Sequence, residues 1–191
     1  LGLEFKRTDN FGLDILDFKF ANVIKNNENY KMPSMSKLNK KRSDIFGNFN
    51  FRPSNNLKLE YNFSYDKDLK YSNRDQLGID FSVNNFLTNI SYYSVHNDLP
   101  EQESIKNTNT FKLDNENIFM FEISKDLKDN FTQYYDLTYK YETDCLSLNL
   151  NFNKSFFRDG SLEPNQSISF LLKIIPFTEL GVKNLEGLIN K

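Results

Sequence analysis

Cysteine and histidine are almost missing from this chain: Cys145 and His96 are the only ones in 191 residues. One of each gives neither a disulfide framework nor a Cys/His zinc cage from this chain alone. Tryptophan is absent. No uninterrupted run of about 18 apolar residues exists to cross a bilayer as a helix, and the mean hydropathy is -0.63. An excess of one charge is lacking too, since 24 Lys and Arg stand against 26 Asp and Glu. A net charge of -2 supplies no bulk basic field to collect nucleic acid. What the chain does have is 19 Phe and 10 Tyr, too many for a disordered chain, because such side chains need a surface to bury against. The length fits one domain or slightly more. Residue 1 is a leucine, and nothing near it has the charged-then-apolar layout of a signal peptide, so the chain reads as a piece of a longer protein.

The dominant pattern is alternation with a period of two. From 146 to 156 the even positions read Leu146, Leu148, Leu150, Phe152, Lys154 and Phe156, while Ser147, Asn149, Asn151, Asn153 and Ser155 lie between them. Successive side chains of an extended strand point to opposite faces, so one face is apolar and the other carries amides and hydroxyls. The split recurs at Leu57, Leu59, Tyr61, Phe63 and Tyr65, and again at Leu77, Ile79, Phe81 and Val83. The fold class expected is all-β and antiparallel. Strands are predicted at 12–24, 44–54, 56–67, 74–84, 86–96, 104–114, 117–126, 130–142, 144–158 and 166–175, with a weaker one at 1–7. At about 3.3 Å per residue and a tilt near 45°, eleven residues climb roughly 25 Å, the height of the apolar band of an outer-membrane barrel.

The connectors test that reading independently. Placing the end of the last strand in the periplasm puts periplasmic turns near 142–144, 115–116, 84–85, 53–55 and 8–10, all tight and bent at Asn, Asp or Pro. Outward loops then fall at 159–164, 127–129, 97–103, 68–73 and 25–42, and four of these five are longer than any turn. Short periplasmic turns with longer outer loops are the rule for an up-and-down transmembrane β-barrel. Two alternatives stay open at this point: a generic outer-membrane porin, or a soluble β-barrel or sandwich that binds a ligand, alternating for the opposite reason with its apolar side inward.

Ordered motifs narrow the choice. Tyr141-Glu142-Thr143-Asp144-Cys145 precedes a long strand ending Phe156-Phe157-Arg158-Asp159. Leu162-Glu163-Pro164 and the strand Ser167-Ile168-Ser169-Phe170-Leu171-Leu172-Lys173 follow. Upstream stand Met32-Pro33, Ser43-Asp44-Ile45-Phe46-Gly47 and Phe51-Arg52-Pro53. The set resembles the C-terminal part of the LPS-assembly protein family LptD, in its alphaproteobacterial form, over about residues 12–181. The resemblance implies that residues 1–176 are the last ten or so strands of a larger barrel in the cell outer membrane, with a periplasmic tail at 177–191. It implies insertion of lipopolysaccharide into the outer leaflet through a polar lumen and a lateral gate. The partners it implies are lipopolysaccharide, an LptE-type lipoprotein plug and bridge proteins of the LptA/LptC type. No nucleic acid and no cofactor are expected.

The resemblance also singles out residues. Cys145 is the disulfide candidate, with a partner expected in an N-terminal domain; many relatives carry adjacent cysteines there, whereas Leu146 follows Cys145 here. A free, inert thiol is the plainer alternative. The gate is expected along the closing strand, 166–175, with Ile168, Phe170, Leu172 and Ile174 toward lipid and Ser167, Ser169 and Lys173 toward the lumen. His96 is expected to be a surface imidazole. Lys37, Lys40, Lys41 and Arg42 in the longest loop are candidates for phosphate contact, and the clusters at 66–68, 101–103 and 126–129 for divalent cations; ordinary solvation accounts for both sets. No nucleophile-and-base pair with meaningful spacing occurs, so an enzyme is not expected.

Overall fold

The computed structural model describes residues 1–32, 34, 37–96, 101–157, 163–174 and 178–182. Twelve β-strands follow one another: β1 (Gly2–Thr8), β2 (Asp14–Ile24), β3 (Arg42–Ser54), β4 (Leu57–Tyr65), β5 (Ser72–Val83) and β6 (Phe86–Val95), then β7 (Gln102–Lys112), β8 (Asn117–Asp126), β9 (Phe131–Glu142), β10 (Leu146–Ser155), β11 (Asn165–Ile174) and β12 (Thr178–Val182). Neighbours in the sheet are neighbours in the sequence throughout. The all-β, up-and-down reading therefore holds. β1 and β12 are the ends of the strand order.

Two differences from the sequence reading matter. The stretch 177–191, expected as a tail, contributes β12, which pairs antiparallel with β11 from Phe170↔Val182 to Ile174↔Thr178. The strand at 166–175 is thus not the last of the sheet. Five residues, Thr-Glu-Leu-Gly-Val, are too few to display an alternation, so the strand was not visible as a pattern.

The turns form as their residues dictate. Asn84 takes a left-handed φ of 50° in the two-residue link between β5 and β6, a conformation asparagine tolerates. Asp114 accepts hydrogen bonds from the backbone N–H of Glu116 and Asn117 at 2.8 and 2.7 Å, closing the β7–β8 turn. Links at this end have two to five residues; those at the other end have 17, 6, 6, 4 and 9. The expected asymmetry is present. Parts of the loops at 97–103 and 159–164 lie outside the described residues.

The chain divides into two compact units, Leu1–Phe81 with Ile90–Ser104, and Ser82–Asn89 with Ile105–Lys191. In the first, apolar rows cross four strands: Leu16–Phe51–Leu59–Ile79 and Phe18–Phe49–Tyr61–Leu77. A third row runs Phe20–Gly47–Phe63. There the Phe63 ring lies over Gly47, so that a Cβ added to the glycine would sit 2.0 Å from the ring. An aromatic ring covering the gap left by a facing glycine restores packing that the glycine gives up. The opposite face carries Lys19–Asn48–Asn62–Gln76, with the Asn48 amide donating to Asn62 at 2.6 Å. In the second unit the apolar rows are Phe119–Tyr139–Leu150–Phe170 and Phe121–Leu137–Phe152–Ile168.

Burial is inverted relative to a water-soluble β-domain. Among the described residues the only buried hydrophobic side chain is Val95, whereas Ser43, Asp44, Ser64, Asp66, Asn73, Ser94 and Ser124 are buried. Phe20, Leu77, Phe81, Ile90, Leu137 and Leu150 are exposed.

Candidate functional site

The longest connector, 25–41, is folded on itself and latched to the sheet. Its arms bond as a short ladder, Lys25 N–H to Lys41 O at 2.8 Å and Asn29 N–H to Asn39 O at 2.9 Å. Lys37 takes a left-handed φ of 51°, which turns its side chain back over the strand ends. Its Nζ lies 2.6 Å from Asp66 Oδ1 and 3.4 Å from Asp44 Oδ1, and 5.4 Å from the centre of the Tyr71 ring. Asp44 is fully buried at 0% exposure, and its other oxygen accepts from the Asn73 amide at 2.8 Å. Ser43 beside it holds β2, accepting from Val23 N–H at 2.9 Å while its carbonyl takes the Asn22 amide. Burial pulls the Lys37 ammonium down, but the hydrogen bond to Asp66 and the Asp44 charge outweigh it and leave it above the usual lysine value. The hydrogen bond from Lys37 holds the Asp66 carboxyl below the usual carboxylate range.

The polar face continues this pattern in the second unit. Glu122 gathers Thr108 at 2.8 Å, Tyr134 at 2.6 Å and Lys106 at 3.0 Å. Asp136 accepts from Asn151 at 2.7 Å, Thr138 at 3.0 Å and Asn153 at 3.2 Å. Carboxylates, amides and hydroxyls joined across strands form a wettable surface rich in hydrogen-bond donors and acceptors.

Of the residues singled out in the sequence, Cys145 is an exposed free thiol in the link between β9 and β10, the short-turn end. Ile168, Phe170 and Leu172 face Phe152, Leu150 and Leu148, and Ile174 faces Leu146. Ser169 faces Asn151, on the other side of the sheet. Phe170, Leu172 and Ile174 are also paired with β12, whereas that pairing stops short of Ile168 and Ser169. His96 is exposed, with Nε2 2.6 Å from Ser94 Oγ. Ser94 is itself fully buried, so the pair presents no accessible nucleophile. Asp66 is engaged by Lys37 rather than grouped with Asp68, and among the described residues no three His, Cys, Asp or Glu side chains converge as metal ligands.

Sequence reasoning missed the Lys37–Asp44–Asp66–Asn73 cluster. Lys37 and Asp66 are 29 positions apart, as are Asp44 and Asn73. A register shift in the β4–β5 pairing skips Asn73, between Ser64↔Arg74 and Tyr65↔Ser72. The one available signal was Asp44 itself, a carboxylate inside the Ser43–Gly47 motif.

A protein-family model, LptD: LPS transport system D, matches residues 4–125. A search of curated proteins gives no match. The matched span contains the long connector, the latch and all three upstream motifs, while the segments around Cys145 and β11 lie beyond it.

Proposed function

The chain belongs to the LptD family, and on that premise we propose that it forms part of the wall of an outer-membrane β-barrel that delivers lipopolysaccharide to the outer leaflet. The observation that carries this is the inverted burial: one buried hydrophobic side chain against seven buried polar ones among the described residues. A soluble sandwich or lipocalin-like barrel hides its apolar rows between layers, whereas a transmembrane barrel turns them to acyl chains and keeps its polar rows inside. The second arrangement fits these rows.

On this reading the Asn48–Asn62, Glu122 and Asp136 networks line a wet lumen that holds the sugar-phosphate headgroup, and Phe121, Leu150 and Phe170 meet lipid. An amphiphile with both parts leaves sideways, and the seam runs along β11 with its short partner β12. Since β12 follows β11, counting back from the last strand no longer assigns the two ends. Connector length does, with the short turns toward the periplasm. Cys145 then stands in an oxidising compartment, where it pairs with a cysteine elsewhere in the full protein. An LptE-type plug and LptA/LptC-type bridge proteins complete the path, which involves no covalent chemistry.

The test places a photo-crosslinking residue at Leu150 or Asn151 of the full-length protein in cells. At Asn151 it is expected to capture lipopolysaccharide in transit, and at Leu150 bulk phospholipid. Capture of lipopolysaccharide from neither position, or from Leu150 alone, sinks the proposal.

A further inference from the structure

An open groove of about 560 Å³ lies between the β2–β3 and β4–β5 connectors, within the ~300–1,000 Å³ of small-ligand sites. Six cations line it: Lys37, Lys40, Lys41, Arg42, Lys67 and Lys70. The three carboxylates in the same wall are Glu28, Asp66 and Asp68, and each has a cation of its own. Asp66 holds Lys37 at 2.6 Å, Glu28 is 3.7 Å from Lys40, and Asp68 is 4.0 Å from Lys67. Glu28 also accepts the Tyr30 hydroxyl at 2.8 Å. Lys41, Arg42 and Lys70 are left over. All three are exposed, and none has a carboxylate within ion-pair distance among the described residues.

Three cations without an ion pair, Lys41 and Lys70 on the two connectors and Arg42 at the start of β3, are an arrangement that ordinary solubility does not call for. Like charges at close range repel, and a surface evolved only to be wet intersperses the two signs. A dianionic group, or two phosphates on one small scaffold, relieves that repulsion and accepts charge-assisted hydrogen bonds from all three. The groove is closed at one side by the latched connector, which fixes where Lys41 and Arg42 stand.

We propose that this groove is a binding site for a phosphorylated headgroup, held by Lys41, Arg42 and Lys70. The anion chemistry follows from the residues alone. Taking a lipid as its source rests on the transport reading, which places this end of the sheet at the outer leaflet.

The test uses the full-length protein in detergent, native and with Lys41→Gln, Arg42→Gln and Lys70→Gln combined. The probes are diphosphoryl lipid A, the same lipid without phosphates, and inorganic pyrophosphate. None of the three residues holds the fold together, and heat-modifiability on gels checks that the variant is folded. The native protein is expected to bind diphosphoryl lipid A about tenfold more tightly than the variant, from three exposed charges of modest individual worth. That preference is expected to vanish for the dephosphorylated lipid and to shrink as salt shortens the screening length. Tight, charge-dependent binding of pyrophosphate with none of lipid A keeps the anion site and makes its ligand soluble. Equal binding of diphosphoryl lipid A by native and variant overturns the proposal. The Leu150 and Asn151 crosslinks report separately, so loss of transit capture with phosphate binding intact fails the transport reading alone.

Discussion

The two units of this sheet are built from the same alternation but differ in how far they depart from a plain ladder. Every strand pairing from β1–β2 to β4–β5 carries a register shift. In the second unit β8–β9 shifts once, between Ser124 and Lys125, but β9–β10 and β10–β11 run without a shift over nine and ten residue pairs. The first unit also has the 17-residue connector, the buried ion cluster and the ring-covered glycine. Its bulges bend strands and re-aim side chains, and at Asn73 that re-aiming completes the latch. The second unit is the plainer ladder, stabilised by cross-strand pairs. Shape at the loop end is bought in the first unit with local irregularity.

The largest effect that would sharpen this contrast is at Lys37. Lys37→Met removes the charge that faces buried Asp44, and orphaning a buried carboxylate costs about 3 kcal/mol. Asp44→Asn in the same chain is expected to recover most of it, as read by urea unfolding of the full-length protein. In the second unit Asp136→Asn keeps an acceptor oxygen for its neighbours and is expected to cost under about 1 kcal/mol. Similar losses at both sites would erase the distinction between the units.

A smaller loss is expected at Gly47. Gly47→Ala drives a methyl into the Phe63 ring and is expected to cost about 2 kcal/mol as overpacking. Phe63→Leu in the alanine background makes room and recovers part of the loss. If alanine is equally costly with either residue at 63, the ring is not what the methyl meets.

The smallest effect is the pH response of the connector. The folded-state value of Asp66 is below its ordinary one, so its contribution is present above the ordinary carboxylate value of about 4 and is lost as pH falls through the folded value. Amide protection across 25–41, taken relative to the intrinsic exchange rate at each pH, is therefore expected to fall only in acid, and to lose that pH dependence in Asp66→Asn. A fall in that protection above neutral pH would contradict the latch.

Much of this was legible in the sequence for a physical reason. Alternation over ten or more residues has one structural solution, and the apolar rows through Leu59, Leu150 and Phe152 emerged as read. The tight turns at 84–85 and 115–116 were equally direct, because their residues favour a bend, although the carboxylate that closes the second is Asp114, one position earlier. What stayed hidden depended on distance or brevity. β12 is five residues long, and the latch joins positions no local pattern connects. Leu171 is another departure, an exposed leucine facing Asn149 on the polar side, for which the structure gives no reason. Lys41 and Arg42 were visible as a basic run, but the accounting that leaves them unneutralised needs Asp66 to be already taken.

The latch also has a place in time. Lys37 reaches a carboxylate 29 positions away, and closing so long a loop costs chain entropy that a single ion pair does not repay by itself. The β3–β4 and β4–β5 hairpins, whose pairings are local, are expected to form first and to bring Asp44, Asp66 and Asn73 into one place. Only then does the connector find its anchor. On that order a docked Lys37 is a mark of a finished sheet, and a protease that cuts within 25–41 reports on chains in which the hairpins behind the loop are still unformed.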